Sequence, residues 1–255
     1  MRLKVVLIAA LGFFFFTATL GATTSAEAKL RKIEIIFHHL LEKAVKNGKA
    51  GEIQTTLVDY QVFQSPYFNT LLQRVSEFDP SWLKGDAQRL SFWINMYNLG
   101  VIRLIMQHPE VRSIREIGSL FLPVWNKPAL NVGGRWLSLG EIEHDILRKM
   151  GDPRIHFAIV CASLSCPDLK PYSYKFRYID RQLELSASSF LDNTSKGFWI
   201  DESQRRLHVS KLFKWFEDDF EPDGIVGFLE KHSRRDLDDY SINFMSYDWQ
   251  LNRLK

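Results

Sequence analysis

Apolar residues recur at helical spacing over Leu30–Lys46, where Ile33, Ile36, Phe37, Leu40, Leu41 and Val45 form one stripe that stops at Asn47-Gly48. Val58–Pro66 is aromatic and polar without a period and reads as irregular. Asn69–Phe78 predicts a short amphipathic helix before Asp79-Pro80. Leu90–Met106 departs from this pattern, with apolar residues nearly all round the helical wheel, so it predicts a helix buried on most sides. Two amides, Asn95 and Asn98, sit within that apolar surface and need partners for their donors and acceptors. Either they tie loops to the helix, or one of them orients a catalytic group.

Alternation takes over further along. Ala129–Val132 and Arg135–Leu137 flank Gly133-Gly134 and predict a tight hairpin; Phe198–Ile200 and Leu207–Val209 predict a second. Ser138-Leu139-Gly140-Glu141 is a capping box opening a helix to Met150. On that helix Glu143 points toward the core, with Arg154 or the buried asparagines as its expected partners, and His144 lies at the polar edge. Ile155–Cys161, entered through Asp152-Pro153, reads as a buried strand leading to Cys166 and Pro167. Tyr178–Leu191, Ser210–Phe220 and Asp223–Lys231 read as helices, and Ser241–Trp249 as a closing strand. The expected fold is α+β, an antiparallel sheet of about five or six strands packed against helices.

The chain's start changes the picture of where it works. Arg2 and Lys4 precede an apolar core from Val5 to Leu20, and Ala26-Glu27-Ala28 fits a cleavage site before Lys29. Residues 1–28 are therefore expected to be a signal peptide. Residues 29–255 then form a single α+β domain, with a helical part at 29–110 and a sheet-containing part at 111–255. The expected location is periplasmic or secreted, with no stable membrane span once the signal is cleaved. Loss of Arg2, Lys4 and Glu27 takes the net charge from +3 to +2. So small a charge, with both signs mixed along the chain, argues against a nucleic-acid surface.

Both cysteines of the chain, Cys161 and Cys166, fall in one stretch. Three readings stand side by side: a structural disulfide in an oxidising compartment, a catalytic thiol, or two inert buried thiols. Within the catalytic reading Cys166 is the candidate nucleophile, because it lies beyond the strand. His144 is the candidate base, and Asn95 and Glu143 are the candidate orienting groups. The order Asn95, His144, Cys166 is similar to that of circularly permuted papain-like enzymes. His156 reads as a hydrogen-bonded core histidine. No metal is expected, because His144, His156, Cys161 and Cys166 lack a paired short spacing. No cofactor is expected either, as Gly133-Gly134 is hairpin chemistry and no phosphate-binding glycine loop is present. The seven tryptophans read mostly as core, with a few free to line a groove.

Several blocks together resemble a family catalogued as domain of unknown function 547. They are Phe92-Trp-Ile-Asn-Met-Tyr-Asn98, Ser113–Gly118, Leu137–His144 with Arg148, Asp152–Ala158, Cys161, and Ser165-Cys-Pro167. Lys214-Trp-Phe216 with Asp219-Phe220, and Tyr247–Asn252, complete the set, so the likeness spans about residues 60–252. The resemblance supplies a family and no mechanism. The residues support two functions. One is a cysteine-dependent hydrolase or acyl/peptidyl transferase acting on an unknown substrate. The other is a non-catalytic exported domain that binds a cell-envelope partner and carries a Cys161–Cys166 disulfide.

Overall fold

The structure, a computed structural model, describes residues 25–254. The expected signal core and its flanks up to residue 24 lie outside the described residues. Helix α1 (Ser25–Ala44) buries Ile33, Phe37, Leu40 and Leu41 of the predicted stripe, with Ile36 half-buried and Val45 past its end, and packs on α2 (Pro66–Ser76). Between them, β1 (Val45–Ala50) and β2 (Ile53–Val58) form an antiparallel hairpin. Asn47-Gly48 therefore lies in a strand. The absent Cβ at Gly48 leaves room for the Leu57 side chain, diagonally across on β2, and the turn falls later at Gly51, where φ is +57°.

Helix α3 (Gly85–Gln107) is the axis of the molecule, buried at nearly every position from Leu90 to Ile105. Strands β3 (Pro128–Val132) and β4 (Arg135–Ser138) make the expected Gly-Gly hairpin against it. The capping box is also as expected. Ser138 N donates to Glu141 Oε2 at 2.8 Å, and Glu141 N donates back to Ser138 Oγ at 3.1 Å. The chain continues into a π-helix, Glu141–Leu147, whose wide turn has Arg148 N donating to Glu143 O, five residues back. Helix α4 (Ile179–Leu191) leads to β5 (Phe198–Asp201) and β6 (Arg206–Val209). Then come α5 (Lys211–Trp215), a 3-10 turn at Glu217–Phe220, α6 (Gly224–Ser233) and β7 (Ser241–Phe244).

The fold is mixed α and β, but the single antiparallel sheet of five or six strands is corrected. Among the described residues there are two two-stranded hairpins and one three-stranded sheet, in which β7 runs parallel to β6. A permuted papain-like arrangement has no such sheet to rest on. The Ile155–Cys161 strand is corrected too. Asp152 caps Arg154 N, Pro153 opens a 3-10 helix over Pro153–Phe157, and every residue from Ile155 to Val160 is buried. A short apolar run buried on all sides has no periodicity to tell strand from helix.

Two apolar cores result. One is built on α1, α2, α3 and the β3–β4 hairpin; the other gathers Phe157, Phe190, Phe198, Phe213, Phe220 and Leu229. The segment 155–160 threads between them, with Ile155 and Ile159 in the first and Phe157 in the second.

Candidate functional site

Asn98 holds this segment in place. Its Nδ2 donates to Ala158 O at 3.0 Å, and Val160 N donates to its Oδ1 at 2.9 Å. The backbone then turns sharply at Ala162, whose φ of +62° is left-handed and costs a residue with a Cβ about 1 kcal/mol or more. The turn is held from outside by the chain's last stretch. Asn252 N donates to Ala162 O at 2.9 Å, Leu164 N to Gln250 O at 2.9 Å, and Asp248 N to Ser165 Oγ at 2.8 Å. This pairing carries Tyr247 to the cysteines.

The two sulfurs lie 3.0 Å apart as free thiols, Cys161 partly exposed and Cys166 buried. Ser163 Oγ is 2.9 Å and Tyr247 Oη 3.4 Å from Cys161 Sγ, while Cys161 N donates to Cys166 Sγ at 2.9 Å. Burial alone would raise the Cys161 pKa. Hydrogen bonding with Cys166, Ser163 and Tyr247 outweighs it and brings the thiol down to about 6. Cys166 goes the other way, pushed well up by burial and by the neighbouring Cys161. Lys196, fully buried and paired with Asp168 at 2.7 Å, fixes this turn by donating to Cys166 O at 2.8 Å.

Cys161 opens into a cavity of about 270 Å³ at the seam of the two cores, lined also by Cys166, Tyr97, Glu143, His144, His156, Trp125, Trp215, Phe216, Tyr247 and Trp249. The π-helix turns Glu143 inward, 7% exposed. Its partner is the Tyr97 hydroxyl of α3 rather than Arg154, which instead pairs with Asp152 at 2.9 Å and Asp180 at 2.8 Å. Burial pushes the Glu143 carboxyl up to about 7 against the opposing hydrogen bond from Tyr97, with the nearby Cys161 adding to the rise.

His156 lies against the second core. Its ring stacks on Phe216 at 4.0 Å between centroids, and Nε2 meets Asp219 Oδ2 at 2.6 Å. Asp219 is also clamped by Arg148, through Nε at 2.6 Å and Nη2 at 2.7 Å. Burial outweighs this carboxylate and lowers the His156 pKa to about 4, so the ring is neutral near pH 7. With its N–H directed at Asp219, Nδ1 is the basic nitrogen. His144 is neutral as well, depressed by burial and by Arg148, whose Nη1 approaches its Nδ1 at 3.3 Å.

Cys166, His144 and Glu143 thus line one cavity with Cys161. Asn95 does not join them. Its Nδ2 donates to Tyr174 O at 2.7 Å and Tyr174 N donates to its Oδ1 at 2.9 Å, so the amide serves a loop. The sequence does not single out Tyr97, Ser163, Tyr247 or Asp219 as site residues, while His156 is the buried, hydrogen-bonded histidine expected and lines the cavity as well. Asp219 and Tyr247 stand within the blocks that carried the resemblance, which was the available signal. Among the described residues, the acidic side chains close enough to share a metal ion are Glu230, Asp236 and Asp238, which do not line this cavity.

A thiol, a carboxyl and a histidine paired with an aspartate thus meet at one aromatic cavity. Residues 80–191 match the profile of a family described as "Protein of unknown function, DUF547", and this stretch of the chain is a DUF547 domain. It runs from the 3-10 turn before α3 through the π-helix and both cysteines to the end of α4. Trp215, Asp219 and Tyr247 lie beyond it. No curated protein and no solved structure matches the chain.

Proposed function

We propose that this protein is a thiol-dependent hydrolase or acyl transferase with Cys161, not Cys166, as nucleophile. The observation that carries this reading is the convergence of Ser163 Oγ, Tyr247 Oη and Cys166 Sγ within hydrogen-bond distance of one partly exposed sulfur that faces a cavity. The Cys161 thiolate attacks an acyl carbon, forming an S–C bond as the bond to the leaving group breaks. Glu143 gives that leaving group its proton. Water then attacks the thioester, Glu143 takes back a proton, and the thiolate departs. Glu143 is preferred to His156 as proton carrier because a carboxyl near 7 suits neutral pH better than an imidazole near 4. His156, Asp219 and Arg148 form the wall that holds Phe216 against the cavity.

The test pairs alkylation with turnover. Iodoacetamide should label Cys161 with a rate that rises through about pH 6, while Cys166 stays slow. Incubation with a thioester should leave an acyl adduct on Cys161, and Cys161→Ser should abolish hydrolysis. Cleavage that survives Cys161→Ser overturns the assignment.

A second reading is favoured by the 3.0 Å separation of the sulfurs: oxidation would join them and leave an exported binding domain with a disulfide. Native protein lacking two hydrogens, with the Cys161–Cys166 bond mapped, selects that reading. Export itself is supported by the apolar segment 5–20 and Ala26-Glu27-Ala28, and an N-terminus at Lys29 in protein from its own host is the expected result.

A further inference from the structure

Acyl transfer at Cys161 uses one sulfur, and Cys166 needs an account of its own. Its position is built. Cys161 N donates to Cys166 Sγ at 2.9 Å, which aims the second sulfur at the first. Cys166 N donates to Ser163 O at 3.1 Å, and the buried Lys196 ammonium holds the Cys166 carbonyl at 2.8 Å, so both cysteines ride on one fastened turn. The sulfurs are 3.0 Å apart and need to approach by only about 1 Å to reach bonding distance. Cys161 is partly exposed and Cys166 buried, so a reagent meets the first sulfur before the second.

Two thiols so placed carry out chemistry that one cannot. The first takes an oxygen atom from a hydroperoxide, and the second displaces that oxygen as water before further oxidation destroys the first. Ser163 Oγ at 2.9 Å and Tyr247 Oη at 3.4 Å from Cys161 Sγ can hydrogen-bond the thiolate or the oxygens of an incoming peroxide. Cys166 is kept protonated by burial and by the neighbouring Cys161, and the second cause weakens once Cys161 carries a neutral sulfenic acid. The cavity lining selects the kind of peroxide. Trp125, Trp215, Phe216 and Trp249 border about 270 Å³, several times the roughly 30 Å³ of one water, which gives a hydrocarbon or aryl group apolar contact beside the O–O bond. Among the described residues no lysine or arginine lines it, so nothing cationic there recognises a charged head group.

We propose that Cys161 and Cys166 are the attacking and resolving thiols of a peroxidase for apolar organic hydroperoxides, with an external dithiol as reductant. Cys161 Sγ attacks the terminal peroxide oxygen. An S–O bond forms, the O–O bond breaks, and the alkoxide leaves as an alcohol with the proton shed by the Cys161 thiol. Cys166 Sγ then attacks Cys161 Sγ. The S–S bond forms, the S–O bond breaks, and hydroxide leaves as water with the Cys166 proton. The dithiol returns both thiols and becomes a disulfide itself. This activity shares with acyl transfer only the reactive Cys161 thiol, and unlike a permanent disulfide it requires the bond to open and close.

The test starts from the full chain reduced with dithiothreitol and freed of it. One equivalent of cumene hydroperoxide should oxidise Cys161 faster in the folded protein than in the urea-unfolded chain. The product should lack two hydrogens, with the Cys161–Cys166 bond mapped, and dithiothreitol should reopen that bond without denaturant. Cys166→Ser treated in the same way should instead hold a sulfenic acid on Cys161 that dimedone captures. With dithiothreitol present, the wild type should consume cumene hydroperoxide over many turnovers, about tenfold or more faster than hydrogen peroxide at the same concentration. Oxidation no faster in the folded protein overturns the peroxidase. So does a dimedone adduct on wild-type Cys161 in the yield that Cys166→Ser gives, or a bond that dithiothreitol opens only in urea. Equal or faster consumption of hydrogen peroxide overturns the apolar substrate class. Should Cys166→Ser fail to fold, the wild-type rates and masses decide alone. Thioester cleavage without peroxide consumption sinks this activity and leaves the acyl-transfer reading standing, and peroxide consumption without thioester cleavage does the reverse.

Discussion

Glu143 is a carboxyl held where its charge is unwelcome. Its folded pKa of about 7 lies above the ordinary 4.5, so the folded state binds its proton more tightly than the unfolded chain does. The associated stability is full below the unfolded value and is lost as pH rises through about 7. Glu143→Gln cannot ionise, so it should be close to neutral in effect near pH 5. Relative to the wild type it should gain about 2–3 kcal/mol by pH 8. Urea unfolding at the two pH values checks this, and parallel changes in both proteins would contradict it. A residue whose replacement stabilises the fold is one whose retention calls for a functional reason. Ala162 fits the same pattern, since its left-handed backbone beside Cys161 is held by pairing with residues 248–252 and by Lys196 on the Cys166 carbonyl.

At the scale of elements, α3 sorts two asparagines of the same burial into different tasks. Asn95 serves the loop at Tyr174, and Asn98 serves the segment that ends in Cys161. Removing either amide leaves a buried N–H and C=O unpaired, so Asn95→Ala and Asn98→Ala should each lower stability by about 2–4 kcal/mol. Only Asn98→Ala should also change the rate and pH profile of Cys161 alkylation. The same shift in both variants would show that the reactivity follows global loosening. The π-helix does comparable work, because its extra-wide turn buries Glu143 while His144 reaches the cavity from its exposed edge.

Across the whole molecule, the buried Lys196–Asp168 pair joins three distant parts. Asp168 accepts from Thr56 N at 2.9 Å and Thr55 Oγ1 at 3.0 Å on β2, and Lys196 reaches the Cys166 carbonyl. Burial would raise Asp168, but the Lys196 charge and these donors outweigh it and hold the carboxyl below its ordinary range. Asp219, buried against Arg148 and His156, is depressed likewise. Carboxylates with lowered folded pKa values contribute stability above their unfolded pKa, and lose it as pH falls through the folded one. Asp168→Asn, which leaves a buried ammonium unpaired, should destabilise by about 3–5 kcal/mol at neutral pH. The deficit should shrink as the medium is acidified below about pH 4. A deficit unchanged in acid urea titrations would show that the pair contributes little.

Local chemistry was legible in the chain. The stripe of α1, the all-round apolar surface of α3, the Gly133-Gly134 and 201–206 hairpin turns and the Ser138–Glu141 box each depend on residues within a few positions of one another. Glu143 facing inward could be read from the same spacing. Tertiary structure decided the rest. Ile155–Val160 reads alike as strand or helix, and only its place between two cores gives it its shape. The choice between the cysteines turns on Tyr247 Oη, 86 residues from Cys161 in the chain, and on an end segment pairing across the Ala162 turn. Sequence spacing carries no record of such contacts, because long-range hydrogen bonds form between whichever groups the packed cores leave side by side.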